Sequence, residues 1–248
     1  MNGQIVINPV TDGAVGVDIQ ATFMPGGGLG VPRGDEVVEP ARRILLQFPL
    51  VRRFASQEIH CQGHISWASS FVGIPQNTME LTEQQARSWD EATAPIAPHA
   101  KFSLSQLQNY LHEHPQHAQM LWSDHADPAK AETEIHSDVD VGFHFVQIKG
   151  EDPLCDSYSA FKDALGRPTG FHEILHGCGV KRLFMFGLAF DYCVGFSALD
   201  AVEFGFEVYV VEDATRSVNN PPGSHERMRG QLLAAGVHLI TSDQLVVN

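Results

Sequence analysis

Basic residues are scarce in this chain. Lys and Arg number 16 against 30 Asp and Glu, a formal net charge of −14 over 248 residues. Such a surface repels phosphate backbones and anionic membranes, so neither nucleic acid nor a membrane is expected as a partner. Long apolar runs are missing as well. The purest, residues 183–190, is far too short to cross a bilayer. The opening MNGQIVINPVTDG has no basic start followed by an apolar stretch, so no export signal is read and a cytoplasmic protein is expected. Cysteine is sparse: Cys61, Cys155, Cys178 and Cys193 lack the spacing of a metal knuckle or a disulfide scaffold. A chain of this length needs neither, and reduced intracellular thiols are expected. The dinucleotide fingerprint is also absent. Gly26, Gly27, Gly28 and Gly30 follow an early apolar run, but Val31 and Pro32 stand where a helix should open, so these glycines read as a tight loop. What is present is 43% hydrophobic and 19% charged, the composition of one large globular domain with a real core.

Short β-branched or aromatic runs stand at residues 14–19, 50–56, 143–148, 183–188 and 207–211. The run LFMFGL leads into a helix predicted from about Cys193 to Phe204, stopped by Gly205, and then into EVYVV. That is a βαβ crossover. The run at 143–148, a helix at about 171–176 stopped by Gly177, and the run at 183–188 make another. The alternation predicts an α/β fold with a doubly wound, mostly parallel sheet and helices on both faces. From Pro75 to about Met120 the chain turns polar, and no strand is expected there. This segment reads as an insertion within a single domain spanning residues 1–248. Thr82 with Gln85 has the capping-box pattern, and SLSQLQNYLHEH reads as a helix. His112, His114 and His117 close it. Two apart on a helix, His112 and His114 face different ways, so solvated histidines are expected rather than a metal site.

In an open parallel sheet, ligands bind beyond the carboxyl ends of the strands. Asp18 lies near the end of the first run, Glu58 and His60 past the second, Lys149 past the third, and Ala189, Asp191 and Cys193 past the fourth. A carboxylate, a lysine and a cysteine therefore converge. At the start of a helix and near Lys149, Cys193 is placed for thiolate stabilisation, which is how such a nucleophile is activated. Each residue alone also has a plain reading, as a cap, a solvated turn or an inert buried thiol. Glu58-x-His60, with His64 four residues on and His125 beyond the polar segment, supplies a carboxylate and imidazoles suited to Zn, Fe or Mn. Thirteen histidines make accidental pairs expected too. HEILH (residues 172–176) matches the HExxH pattern of zinc proteases, but its helix is short, stopped by Gly177, and must pack one face on the sheet. No zinc is expected there.

The blocks DIQATFMPGGGLGVP (18–32), HISWASS (64–70), KGEDPLCDSYSAF (149–161), GLAFDYCVGFSALDA (187–201) and VEDATRS (211–217) resemble, in order, the motifs of nicotinamidases within the isochorismatase-like cysteine hydrolases. The resemblance implies a triad of Asp18, Lys149 and Cys193. In it Asp18 takes the thiol proton, Lys149 holds the thiolate, and Cys193 attacks a carboxamide to give a thioester. It implies an oxyanion held by the backbone N–H groups of Ala189 and Cys193, beside a cis peptide at Ala189–Phe190 or the bond before it. It implies a divalent metal at Glu58, His60 and His125, with His64 nearby, and a ring bound by Phe23, Trp122 and Tyr158. The implied reaction turns nicotinamide into nicotinate and ammonia, with pyrazinamide also accepted. Small-molecule substrate is the implied partner, and self-association is left open. Glu58 stands where the family has Asp, Phe190 where it has Thr, and Ala126-Asp127-Pro128-Ala129 where Cys-Val-Gln-Gly is usual. Those departures keep two alternatives in play: the same triad acting on another amide, a carbamoyl or ureido compound, and a catalytically silent homologue.

Overall fold

The computed structural model describes residues 3–247. In chain order its first half carries β1 (Ile5–Val6), β2 (Asp12–Val17), α1 (Val38–Leu46), β3 (Arg53–Glu58), β4 (Met79–Thr82), α2 (Glu83–Arg87), α3 (Leu104–Glu113) and β5 (Ala118–Leu121). The second half carries β6 (Phe145–Lys149), α4 (Phe171–Gly177), β7 (Arg182–Leu188), α5 (Gly195–Glu203), β8 (Glu207–Arg216), α6 (Ser224–Ala234), β9 (His238–Ile240) and β10 (Leu245–Val246). Six strands form one parallel sheet in the order β6-β3-β2-β7-β8-β9, as the alternation of runs and helices predicts.

The strand side chains alternate between two cores. Val15, Val17, Leu183, Met185, Val208 and Val210 pack under α4, α5 and α6, against Leu175, Ala198 and Leu232. Ala14, Phe184, Phe186, Tyr209 and Val211 face the other way, against Ala41, Ile44 and Leu45 of α1. A sheet buried on both faces needs continuous apolar strands, and β7 (RLFMFGL) is buried from its second residue onward. Each fully buried large side chain contributes about 1.5–3 kcal/mol of transfer free energy, so these two layers hold the sheet. Gly205, at φ 88°, ends α5 in the left-handed conformation that favours glycine.

Two expectations are corrected. Residues 50–52 form a short helical turn rather than the start of β3, because Leu50 and Val51 point outward instead of into either core. The polar segment does contain strands: β4 and β5 pair antiparallel, Met79 opposite Leu121. Their partners lie over thirty residues apart in sequence, which local periodicity does not register. Leu81 and Leu121 join Phe102, Leu107 and Leu111 in a third, separate core. The capping boxes at Thr82–Gln85 and Ser103–Gln106 are both formed. Among the described residues no helix is long and apolar enough to cross a membrane.

Candidate active site

The carboxyl ends of β2, β3, β6 and β7 bring Asp18, Glu58, Lys149 and Cys193 together, all buried. Asp18 turns out of β2 at φ 45°, a conformation aspartate tolerates better than most side chains. Its Oδ1 accepts a 2.7 Å hydrogen bond from Ser56 Oγ, and its Oδ2 lies 3.0 Å from Lys149 Nζ. Lys149 closes β6. Its ammonium also donates to Glu58 Oε1 at 2.6 Å and to the Ser157 carbonyl at 2.8 Å, and lies 3.6 Å from Cys193 Sγ. Cys193 sits on a wide π-type turn, Phe190–Val194, between β7 and α5, and the Leu188–Ala189 peptide ahead of it is cis.

Burial disfavours every charge here, and the neighbours decide which charges survive. Against burial, Asp18, Cys193 and Glu58 push the Lys149 ammonium well above its ordinary value. Against burial again, Lys149, His60 and His125 hold Glu58 well below the usual carboxylate range. For Asp18, burial outweighs Lys149 and raises its pKa. Burial likewise pushes the Cys193 thiol well up, more than Lys149 pulls it down. The resting nucleophile is therefore a neutral thiol. The dry surroundings outweigh the nearby cation, in keeping with a mechanism in which Asp18 takes the thiol proton.

Glu58 turns its other oxygen to a set of imidazoles. Oε2 lies 3.2 Å from His125 Nε2 and 3.7 Å from His60 Nε2. His60 Nδ1 pairs with the Gly150 carbonyl at 2.8 Å and His125 Nδ1 with the Ser123 carbonyl at 2.7 Å. Each ring thus has its outer nitrogen on a backbone oxygen and its Nε2 aimed inward, the arrangement metal-ligating histidines adopt. The Nε2 of His60 is buried without a hydrogen-bond partner. Burial drives His60 down to about 4, so it is neutral and its lone pair is free. One carboxylate and two neutral-capable imidazoles within 4.8 Å of one another fit a divalent cation. His64 lies beside this set rather than in it. Its ring is 4.1 Å from that of His60, and its ligand atom groups with His60 and Asp156.

Both groups open into one cavity of about 20 Å³, lined among others by Phe23, Glu58, Trp122, His125, Tyr158, Ala189 and Cys193. Trp122 Nε1 donates to Tyr158 OH at 3.0 Å, which fixes two of the three aromatic rings singled out in the sequence. Every residue expected at the site from sequence is thus in or beside it. Leu29, Val31, Asp156, Tyr192 and Val218 also line the cavity and were not foreseen. Tyr192 adjoins Cys193, and Asp156 lies two residues before Tyr158, so adjacency was the available pointer. Gly28 packs on the loop of His125: a Cβ there would lie 2.4 Å from the Asp124 carbonyl. The glycine run is a tight loop against the site, as expected.

The other histidine motifs have partners of their own. His172 and His176 stack on Phe204 and Phe206, with centroids 3.9 and 4.3 Å apart. His112 and His117 face Glu83, which already holds Arg87 at 2.6 Å. His114, expected in solvent, is instead buried against Tyr110. All four cysteines are free thiols.

Comparison with known proteins follows the same geometry. The nicotinamidase of Escherichia coli (strain K12) is 33% identical over 228 residues, 91% of this chain and 92% of its own length. The PnC1 protein of L. infantum, solved in complex with nicotinate, superposes with a TM-score of 0.75 at 26% identity, covering 99% of this chain and 100% of that one. The Acinetobacter baumanii nicotinamidase/pyrazinamidase does so with a TM-score of 0.78 at 27% identity, over 96% and 99%. The isochorismatase domain model matches residues 14–244, from within β2 to the residue before β10, and the chain belongs to the isochorismatase family.

Proposed function

We propose that the protein is an amidohydrolase that converts nicotinamide to nicotinate and ammonia through a Cys193 thioester. The observation that carries this reading is the opening of a buried Asp18–Lys149–Cys193 cluster and a Glu58–His60–His125 set into one aromatic-walled cavity. Asp18 and Cys193 present ligand atoms within 4.8 Å of each other, and Asp18 Oδ2 has no aligned hydrogen bond to occupy it. Asp18 therefore takes the thiol proton as Sγ bonds to the carboxamide carbon. Its raised pKa suits both taking that proton and giving it to the departing ammonia. Lys149 stays charged throughout and offsets the thiolate as it forms. The backbone N–H groups of Ala189 and Cys193 hold the oxyanion. Water then adds to the thioester carbon, Asp18 accepts its proton and returns it to Sγ, and nicotinate leaves. Phe23, Trp122 and Tyr158 hold the ring. Glu58, His60 and His125 would hold a divalent metal, Zn, Fe or Mn, which would supply a Lewis acid toward the pyridine ring. Pyrazinamide offers the same ring nitrogen and carboxamide and is accepted on the same terms.

The test is ammonia release from nicotinamide by the purified protein, with bound metal quantified, beside Cys193→Ala. Release that depends on Cys193, with close to one metal per chain, supports the reading. No release by a protein whose Cys193 is intact and alkylatable rejects nicotinamide and points to another amide on the same residues.

A further inference from the structure

The cavity over Cys193, at about 20 Å³, is far below the roughly 300 Å³ at which small-molecule pockets begin. A ring enters only as the walls part. Those walls come from separate stretches: Leu29 and Val31 from the glycine loop, Trp122 ahead of His125, Tyr192 beside Cys193, and Val218 after β8. Outside them runs a continuous set of hydrogen bonds that meets at Asn77. Asn220 Nδ2 donates to the Asn77 carbonyl at 2.6 Å, and the Asn220 carbonyl accepts from Tyr192 OH. The Ser123 N–H donates to Asn77 Oδ1 at 2.7 Å, and Asn77 Nδ2 reaches Ser123 Oγ at 3.4 Å. Ser123 Oγ in turn donates to the Gly28 carbonyl at 2.6 Å, and the Gly28 N–H donates to Glu132 at 3.1 Å. Asn77 itself is anchored by its N–H to the Leu121 carbonyl of β5, at 2.9 Å.

Gly28 adjoins Leu29, Ser123 adjoins Trp122, and Asn220 lies two residues past Val218. Each wall is thus tied, within two residues of a lining side chain, to one residue of the polar segment between β3 and β6. Asn77 holds a left-handed backbone, φ 58°, which asparagine tolerates and which turns its carbonyl and its side chain toward different walls. Resting on the nicotinamidase reading, we propose that Asn77 is a specificity-determining positioning residue. It ties together the walls that part to admit a ring and limits how far they open, so it both fixes the ring over Cys193 and excludes larger amides. The polar segment thereby gains a role, since its small core holds Asn77 in place beside the mouth of the site.

Two variants test this. Asn77→Gly keeps the left-handed backbone and removes the side-chain links. Ser123→Ala cuts the link to Gly28 while keeping the Ser123 N–H and the carbonyl that holds His125. In both, the KM for nicotinamide should rise about tenfold, the effect of losing one or two net hydrogen bonds, with kcat changed less than threefold. The rate on quinoline-3-carboxamide relative to nicotinamide should rise, and iodoacetamide should label Cys193, located by peptide mass spectrometry, about tenfold faster. Folded variants with wild-type KM, ring selectivity and labelling rate would overturn the proposal. So would a fall in kcat with KM and labelling unchanged, which assigns the residue to chemistry instead. If Asn77→Gly does not fold, Ser123→Ala decides alone. If the wild type hydrolyses no nicotinamide, the functional reading fails separately, and labelling of Cys193 still judges the role of Asn77.

Discussion

Lys149→Met removes the cation that faces both Asp18 and Glu58 while keeping all of the side chain's length but its last atom. In the native protein its ammonium lies 3.0 Å from one carboxylate and 2.6 Å from the other, and both carboxylates are buried. Taking one partner from a buried ion pair costs about 3–5 kcal/mol, because the remaining charge has neither water nor a counter-ion. For a chain of this size, about 2–4 °C of melting temperature follows each kcal/mol, so the variant should melt about 6–20 °C lower. The assay is thermal unfolding of metal-free wild type and variant at several pH values. The sign of the pH effect is specific. In the variant, burial raises the carboxylates above their unfolded values, so the penalty is full at high pH and shrinks as pH falls and they protonate. In the wild type Glu58 is held below its ordinary 4.5, so its stabilisation is present above that value and is lost as pH falls below it. The gap in melting temperature should therefore close from pH 8 to pH 5, by up to about 1.4 kcal/mol per pH unit for each proton taken up. A drop of less than about 3 °C at pH 8, or a gap that does not change with pH, would refute the claim that Lys149 neutralises these two carboxylates.

Cys193→Ala should abolish ammonia release and keep nicotinamide binding, while Asp18→Asn should lower kcat by at least about a thousandfold; normal turnover in either one rules out the proposed proton path. His60→Ala should lower bound metal and raise KM, and unchanged stoichiometry by elemental analysis would remove His60 from the ligand set. Burial holds His60 at about 4 and His64 at about 3, against 6.5 in the unfolded chain. The unfolded state therefore takes up protons first, and metal-free protein should lose stability as pH falls below 6.5 toward 4; calorimetry showing a flat profile there would contradict two neutral buried rings. Replacing both His172 and His176 with Gln should leave metal content and activity as in the wild type, since the rings stack on phenylalanines; loss of metal would reopen the HExxH reading.

Some features could be read directly from the chain. The runs around Val15, Phe186 and Val210 are apolar on both faces, which only a sheet covered on both sides accommodates, so the parallel sheet followed from pattern alone. Asp18, Glu58, Lys149 and Cys193 were legible because each follows such a run, and the end of a parallel strand is where this fold opens. The pairing of β4 with β5 was not legible: four-residue runs carry little periodicity, and what stabilises them is a partner over thirty residues away. Nor was the burial of His114, because a helix end is normally solvated, whereas here its ring packs on Tyr110, one turn back on the buried face of α3. Nothing in the sequence marked Asn77 or Ser56, small polar residues whose roles depend on which chain segment they meet.

The sheet, the helices that cover it and the residues able to do chemistry are all written in the chain, because periodicity and side-chain type are local properties. The states of those residues are not. Cys193 is a thiol and not a thiolate, Glu58 divides its two oxygens between Lys149 and the imidazoles, and His60 is neutral, and each of these is settled only once the chain has folded. Burial sets them, together with charges a few ångströms away from distant parts of the chain, and the Coulomb and desolvation energies involved depend on distance in space and not along the sequence.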